Sequence, residues 1–147
     1  MKTFSFWSKW LFAVSIVVVV FGIFMALFNG TAAFNLFNDQ INPVFWKNRQ
    51  ITKETDSFQR FVYGAWGATV AGWGVFMAFI ARVPFVKKER WAWYCLFSGI
   101  LLWYIVDTSI SLYYGVVFNA LFNTLLFVSG FLPLMFTYRE FKVGDPV

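Results

Sequence analysis

The chain has 147 residues, of which 60% are hydrophobic and only 13% are charged, and its formal net charge is +5. A soluble protein of this length cannot bury 21 Phe and 8 Trp, whereas lipid accepts apolar side chains on every face of a helix. With no histidine, serine–histidine hydrolysis and the usual nitrogen ligands of metals are excluded, and the sole cysteine, Cys95, cannot form an intramolecular disulfide. We therefore expect an integral membrane protein with no cofactor and no metal.

Four apolar segments are long enough to cross a bilayer, at about 1.5 Å per helical residue and roughly 30 Å of hydrocarbon. The predicted spans, all in one domain covering 1–147, are residues 10–28, 58–81, 91–114 and 116–137. The first follows a basic start that is also typical of a signal peptide, but its apolar run exceeds the ~7–15 residues of a cleavable one. Gly115 predicts a tight turn, and Gly130 with Pro133 predicts a kink. The predicted fold class is an all-α, four-helix transmembrane bundle.

The segment 29–56 is the only long loop and is mainly polar. Within it Phe34, Phe37 and Ile41 recur at three- and four-residue spacing. This pattern fits either a short helix lying in the membrane interface or an irregular loop whose aromatic rings touch lipid headgroups. After the loop, Asp56 is expected to cap the second spanning helix, because a carboxylate can accept hydrogen bonds from the first free amides.

Lysine and arginine are distributed unevenly between the two ends of the predicted bundle. One end holds Lys2, Lys9, Arg82, Lys87, Lys88, Arg90, Arg139 and Lys142, and the other holds Lys47, Arg49, Lys53 and Arg60. This excess predicts that both termini are cytoplasmic. The basic residues form short clusters rather than one stripe, so a nucleic-acid partner is not expected. For the loop that contains Lys87, Lys88 and Arg90, setting topology is the preferred interpretation, ahead of binding anionic lipid.

The second span contains two rows of small residues. Gly64, Ala68 and Gly72 lie four residues apart, and Gly67 and Ala71 form an adjoining row. Small residues at this spacing let another helix backbone approach closely in lipid. We predict helix packing at these five positions, within the bundle or, as the alternative, between copies of the chain.

Asp107 is the only acid well inside a predicted span, where an ionised side chain is costly unless it is paired, hydrated or protonated. Counted from Gly115, Ser111 and Asn119 lie four residues away, and Asp107 and Asn123 lie eight away. A hairpin turning at Gly115 would place each pair at one depth. The candidate site residues are Asp107, Thr108, Ser111, Asn119, Asn123, Tyr104 and Tyr63. They form a ligand-binding or proton-relay site, or hydrogen bonds that simply hold the hairpin together.

Several motifs in the last three spans resemble small four-span membrane proteins of bacteria that have no assigned activity. These motifs are Tyr63–Gly67, Ala71–Gly74, Glu89–Trp93, Asp107–Thr108 and Tyr114–Gly115. The resemblance implies the four-span fold and a location in the bacterial cytoplasmic (inner) membrane. It implies no mechanism, because the shared residues are mainly packing residues.

The sequence favours a non-enzymatic bundle whose polar pocket around Asp107 binds a small apolar or amphipathic ligand or relays a proton. The alternative is a structural subunit that joins a membrane-protein partner, or a second copy, through the face of Gly64, Ala68 and Gly72. A lipid-modifying enzyme that uses Asp107 and Tyr104 for proton transfer is the third hypothesis. Membrane lipids are the remaining expected partners, and no residue is assigned a catalytic role.

Overall fold

The fold comes from a computed structural model that describes residues 2–47 and 51–142. The described residues form five α-helices and no strand: α1 Lys2–Phe28, α2 Asn35–Trp46, α3 Lys53–Arg82, α4 Arg90–Tyr113 and α5 Val117–Lys142. Helices α1, α3, α4 and α5 are long and apolar enough to cross a membrane, which confirms the predicted fold class. Arg49 and the C-terminal tail 143–147, which the sequence assigned to opposite sides of the membrane, lie outside the described residues.

The four long helices pack in the order α3, α1, α5 and α4 around a common centre. Helix α1 has its most extensive contact with α3 and also packs against α5, while α4 packs mainly against α5. Helices α3 and α4 contact each other very little. Because of this weak contact, the side of the bundle between α3 and α4 is only loosely closed.

We call the end of the bundle next to α2 the loop end, and the end that contains Lys9, Arg82 and Lys88 the terminal end.

Helices α1 and α3 approach each other closely at positions where α3 carries glycine or alanine. A β-carbon at Gly67 would lie 2.5 Å from the amide nitrogen of Ala26 and 2.6 Å from the carbonyl oxygen of Gly22. One at Gly74 would lie 2.8 Å from the amide nitrogen of Val19. No side chain fits between backbones this close. We call this contact, formed by Gly22, Ala26, Gly67, Ala71 and Gly74, the α1–α3 seam.

The seam uses only part of the small-residue pattern that the sequence shows on α3. Gly64 is near α1, since a β-carbon there would lie 3.7 Å from the carbonyl oxygen of Ala26. Ala68 is exposed, and apart from the adjoining residues and backbone of α3 itself, no described atom lies within 4 Å of a β-carbon at Gly72. The expected packing role of Ala68 and Gly72 inside the bundle is therefore wrong. The adjoining row, Gly67 and Ala71, faces α1 because α1 has its own small residues, Gly22 and Ala26, at the same contact.

Helix α2 covers the loop end of the bundle. The Phe34 side chain at its start is 1% exposed, and its ring lies 5.2 Å from that of Tyr63 and 5.0 Å from that of Phe37. The Asn42 side-chain oxygen accepts a hydrogen bond of 2.7 Å from Gln59 Nε2 of α3. Of the two alternatives for this segment, the helix is observed, and its aromatic face packs on the bundle because burial there removes those rings from water.

The start of α3 differs from the prediction, and the turn between α4 and α5 agrees with it. Thr52, not Asp56, caps α3, since its Oγ1 accepts a 3.3 Å hydrogen bond from the Thr55 amide. Asp56 instead pairs with Arg60 Nε at 2.8 Å, so the predicted cap is wrong. At the predicted tight turn, Gly115 adopts a backbone φ of 75°, a left-handed conformation that favours glycine. Helices α4 and α5 therefore meet in a tight turn that fixes their relative register.

Helix α5 continues through Pro133 to Lys142 instead of ending near residue 137. Proline has no amide hydrogen, so the carbonyl of Ser129, four residues earlier, loses its helical donor. The Trp10 indole of α1 donates a 3.0 Å hydrogen bond to that carbonyl oxygen. A contact between helices thus satisfies the backbone group that the proline leaves free.

Candidate functional site

A cavity of about 340 Å³ lies in the centre of the bundle, between the four long helices and beneath α2. Its wall is mostly apolar and aromatic, and includes Val18, Phe21, Phe37, Trp73, Trp103 and Phe122. Between the sparsely packed helices α3 and α4, the rings of Trp73 and Trp103 meet with centroids 5.7 Å apart. Large side chains thus partly close the side where the two backbones stay apart.

Polar groups line the cavity toward the loop end, centred on the Asp107 carboxylate. Its Oδ2 accepts a 3.2 Å hydrogen bond from Trp103 Nε1, and its Oδ1 accepts one of 3.1 Å from Asn119 Nδ2. The Ser111 hydroxyl lies 3.3 Å from Oδ1, and Asn119 Nδ2 lies 2.7 Å from that hydroxyl. We call Trp103, Asp107, Ser111 and Asn119 the Asp107 cluster.

The Asp107 cluster brings together residues from both arms of the α4–α5 hairpin. The turn at Gly115 places Ser111 beside Asn119, which is the juxtaposition that counting from the turn predicts. Asn119 then reaches the carboxylate one helical turn deeper. The Ser111 hydroxyl has a single proton and donates its short hydrogen bond, 2.7 Å, to the Asp107 backbone carbonyl oxygen. The two donors Trp103 and Asn119 therefore replace part of the hydration that the carboxylate loses inside the bundle. Arg60 forms an ion pair with Asp56 and takes no part in the Asp107 cluster.

Asn123 lies on the same cavity but outside this hydrogen-bond network. Its side chain is 2% exposed, and its Nδ2 has no hydrogen-bond partner among the described residues. A buried amide group without a partner costs roughly 1–3 kcal/mol, so a molecule that supplied an acceptor there would offset that cost. The amide can present either its nitrogen or its oxygen, since the group rotates about its last torsion.

The remaining predicted site residues divide into two groups. Tyr63 lines the cavity from α3, and its hydroxyl accepts a 3.1 Å hydrogen bond from Gln59. Tyr104 and Thr108 do not form part of the cavity wall that the structure describes. The Tyr104 hydroxyl lies 3.3 Å from Thr124 Oγ1 of α5, while the buried Thr108 hydroxyl has no hydrogen-bond partner in the part of the chain that the structure describes. The structure therefore gathers Asp107, Ser111, Asn119, Asn123 and Tyr63, and leaves the other two apart.

Sequence reasoning missed two kinds of residue at this site. Trp103 precedes Asp107 by four residues, a spacing that places both on one face of a helix, so its indole donor could have been found by position alone. Phe37 and Phe122 reach the cavity from different helices, with rings 5.9 Å apart, and only the tertiary structure brings them together. The missed residues supply a donor to the carboxylate and part of the aromatic wall.

Comparison with known proteins identifies no relative from which a function could be transferred. The chain matches no protein-family model, no curated protein and no solved structure. The resemblance of the motifs around Trp66 and Trp93 to small bacterial four-span proteins therefore stays an expectation. Any proposed function has to rest on the cavity and on the residues that line it.

Proposed function

We propose that this protein binds a small, largely apolar molecule with one hydrogen-bonding end inside the membrane. The observation that carries the proposal is a central cavity of about 340 Å³ lined by Asn123, whose buried Nδ2 has no hydrogen-bond partner within residues 2–47 and 51–142. Small-molecule sites have volumes of about 300–1,000 Å³ and combine apolar walls with a few placed polar groups. The apolar body of the ligand would contact the aromatic wall, and its polar end would contact Asn123 and the Asp107 cluster.

Access to the cavity is proposed to be lateral, from the bilayer, between α3 and α4. These two helices contact each other very little, whereas α1 is in extensive contact with α3. Rotation of the Trp73 and Trp103 side chains would widen this side without moving a backbone. An apolar ligand would already be concentrated in the lipid outside.

Ligand binding fits the cavity better than proton relay does. A relay requires a chain of polar groups that crosses the membrane. The described cavity wall becomes apolar beyond the Asp107 cluster toward the terminal end, where it is formed by side chains such as Val14, Met77 and Ile100. Asp107 is therefore assigned a binding role, as an acceptor for a hydroxyl or amide on the ligand.

The proposed setting is a bacterial cytoplasmic membrane, with both termini in the cytoplasm. The unequal distribution of lysine and arginine supports this orientation. It would place the Asp107 cluster in the outer half of the bilayer. A cysteine introduced at Asn42 should react with an impermeant thiol reagent in intact cells. Protection of Asn42→Cys, together with labelling at Lys87→Cys, would reverse the orientation.

Photolabelling in membranes tests the binding proposal directly. The probe is a ten-carbon alcohol that carries a diazirine, and mass spectrometry locates the labelled residues. We expect saturable labelling of Trp103 and Phe122, which unlabelled decanol should reduce by competition. Val70→Phe should reduce it because the larger ring occupies the cavity, while the lipid-facing control Val128→Phe should not.

Two further variants examine the polar end of the cavity. Asn123→Leu removes the amide and should weaken labelling about tenfold, since a hydrogen bond made in an apolar site is worth roughly 1–2 kcal/mol. Asp107→Asn keeps the shape of the carboxylate and should fold normally, so a change in its labelling reports on the charge. Labelling that does not saturate, or that is confined to lipid-facing residues such as Phe76 and Phe79, would contradict the proposal.

A structural subunit is the second candidate, and one observation favours it. Ala68 and Gly72 leave a small-residue strip on the outer face of α3, where no other part of the described chain covers them. Such strips join helices in lipid. Gly72→Cys should then form disulfide-linked dimers in membranes, while the control Leu102→Cys, at an exposed position on α4, should form fewer. Equal and low cross-linking at both positions would remove this candidate.

A further inference from the structure

A second depression, separate from the central cavity, lies at the terminal end of the bundle. It has a volume of about 360 Å³ and is formed between the start of α1, the end of α3, the loop that follows α3, and Glu140 near the end of α5. Lys9, Arg82 and Lys88 line it, together with the aromatic side chains of Phe4 and Phe12. None of these residues takes part in the proposed ligand site.

The charge of this depression is positive. Lys88 pairs with Glu140 and lies 5.0 Å above the ring of Phe4. In the described chain, no carboxylate forms an ion pair with Lys9 or Arg82. The guanidinium of Arg82 lies 5.9 Å from the ring centre of Phe12. Two cations are thus available to an anion.

An apolar groove continues from the depression along the outer surface of α1 and α3. It has a volume of about 290 Å³, and it shares Phe12 and Arg82 with the depression. Ile16, Val19 and Val75 form its walls. From Lys9 to Val19 the helix rises roughly 15 Å, which is about half of a hydrocarbon core of roughly 30 Å. The depression and the groove together therefore extend over about the depth of a single leaflet, which is the depth that a phospholipid acyl chain occupies.

We infer that the depression and the groove together bind one anionic phospholipid from the leaflet at the terminal end. The phosphate lies between Lys9 and Arg82, and one acyl chain lies along Ile16 and Val75. A free phosphate would use the cations but not the apolar groove, and a neutral detergent would use the groove but not the cations. A phospholipid with net negative charge uses both.

The site differs from the one that the loop sequence suggests. Arg90 donates hydrogen bonds of 3.1 and 3.2 Å to the carbonyl oxygens of Phe141 and Lys142, so it holds the end of α5. Lys88 is paired with Glu140. The phosphate ligands are instead Lys9 and Arg82, one on each side of the α1–α3 contact. Among the loop cations considered from the sequence, only Lys88 lines the depression, and its charge is paired with Glu140.

Native mass spectrometry of the full chain tests this inference. The protein is equilibrated with equal amounts of dioleoyl phosphatidylglycerol and dioleoyl phosphatidylcholine in detergent, and the retained lipid is counted. We expect the wild type to retain phosphatidylglycerol preferentially. Lys9→Gln/Arg82→Gln should reduce that retention at least about tenfold, because each cation near a lipid phosphate contributes substantially to binding. The control Lys47→Gln/Lys53→Gln removes the same charge at the other end and should change nothing.

A second variant tests the groove without changing any charge. Val75→Trp fills the groove and should lower phosphatidylglycerol retention severalfold, even though both cations remain. Inorganic phosphate or the deacylated headgroup, added in excess, should fail to displace the lipid. Equal retention of the two lipids by the wild type, equal loss in the two double variants, or displacement by inorganic phosphate would each overturn the inference. All of these outcomes are independent of photolabelling in the central cavity.

Discussion

Helix α3 meets α1 through glycine and alanine, and it faces α4 across a cavity bridged by tryptophan. On the first side, backbone atoms come so close that a β-carbon at Gly67 would lie 2.6 Å from a carbonyl oxygen. On the second side, the two backbones stay apart and the rings of Trp73 and Trp103 meet between them. In lipid, where no hydrophobic effect drives helices together, side-chain volume decides how near they come. The open side of the bundle is therefore the side with large residues.

The largest expected loss of stability comes from placing a larger side chain in the α1–α3 seam. Gly67→Leu should lower the free energy of unfolding by about 3 kcal/mol, because the atoms it would meet belong to a backbone that cannot rotate away. Gly72→Leu is the matched control on the same helix. It should change stability by less than about 0.5 kcal/mol, because that face is open. Thermal melting in detergent measures both variants.

These two variants also separate packing in the bundle from association between chains. If Gly72→Leu destabilised the monomer as much as Gly67→Leu does, the assignment of the seam to the row that contains Gly67 would be wrong. If it left the monomer intact but abolished a dimer, the outer face of α3 would be an interface. Size-exclusion chromatography of the same samples distinguishes these results.

An intermediate loss of stability is expected in the Asp107 cluster beside the cavity, where side-chain hydrogen bonds join α4 to α5. Asn119→Leu removes one donor from the Asp107 carboxylate and one from the Ser111 hydroxyl. It should cost about 1–2 kcal/mol of stability, since a partly buried acceptor loses a partner. In the Asp107→Leu background the same change should cost less. Equal costs in both backgrounds, measured by melting, would show that the two residues are not coupled.

The smallest expected effect concerns the contact that joins α1 to α5. Trp10→Phe removes the indole donor from the Ser129 carbonyl and should cost about 1 kcal/mol. In the Pro133→Ala background, the restored amide at residue 133 can donate to that carbonyl, so the cost of Trp10→Phe should fall toward zero. A double-mutant cycle measures this difference. A cost that Pro133→Ala does not change would mean that the indole has no role as a replacement donor.

Much of the fold and part of the candidate site follow from local features of the sequence. The four spans depend on the length of apolar runs, which a single chain reveals without knowledge of its neighbours. The proximity of Ser111 and Asn119 follows from counting residues on either side of Gly115, because both helices rise by the same amount per residue. The start of α3 was missed because Thr52 and Asp56 are both good caps, and sequence alone does not rank them.

Contacts between distant helices were beyond local reasoning. Two adjoining rows on α3 contain small residues, and only the positions of Gly22 and Ala26 on α1 select the one that is buried. The inward direction of the α2 aromatic face depends on the space left between α1, α3 and α5. For the same reason, Tyr104 could not be distinguished from Tyr63 as a wall of the cavity.

The sequence by itself determined a four-helix membrane bundle with a tight last hairpin and one acidic residue that needed partners inside it. These features depend on run length, spacing and the chemistry of single residues. Only the tertiary structure decided that Asn123 has a buried, unpartnered amide facing a cavity, and that Lys9 and Arg82 border one depression. Cavities and grooves are volumes between helices, and they exist only once the positions of all the surrounding backbones are fixed.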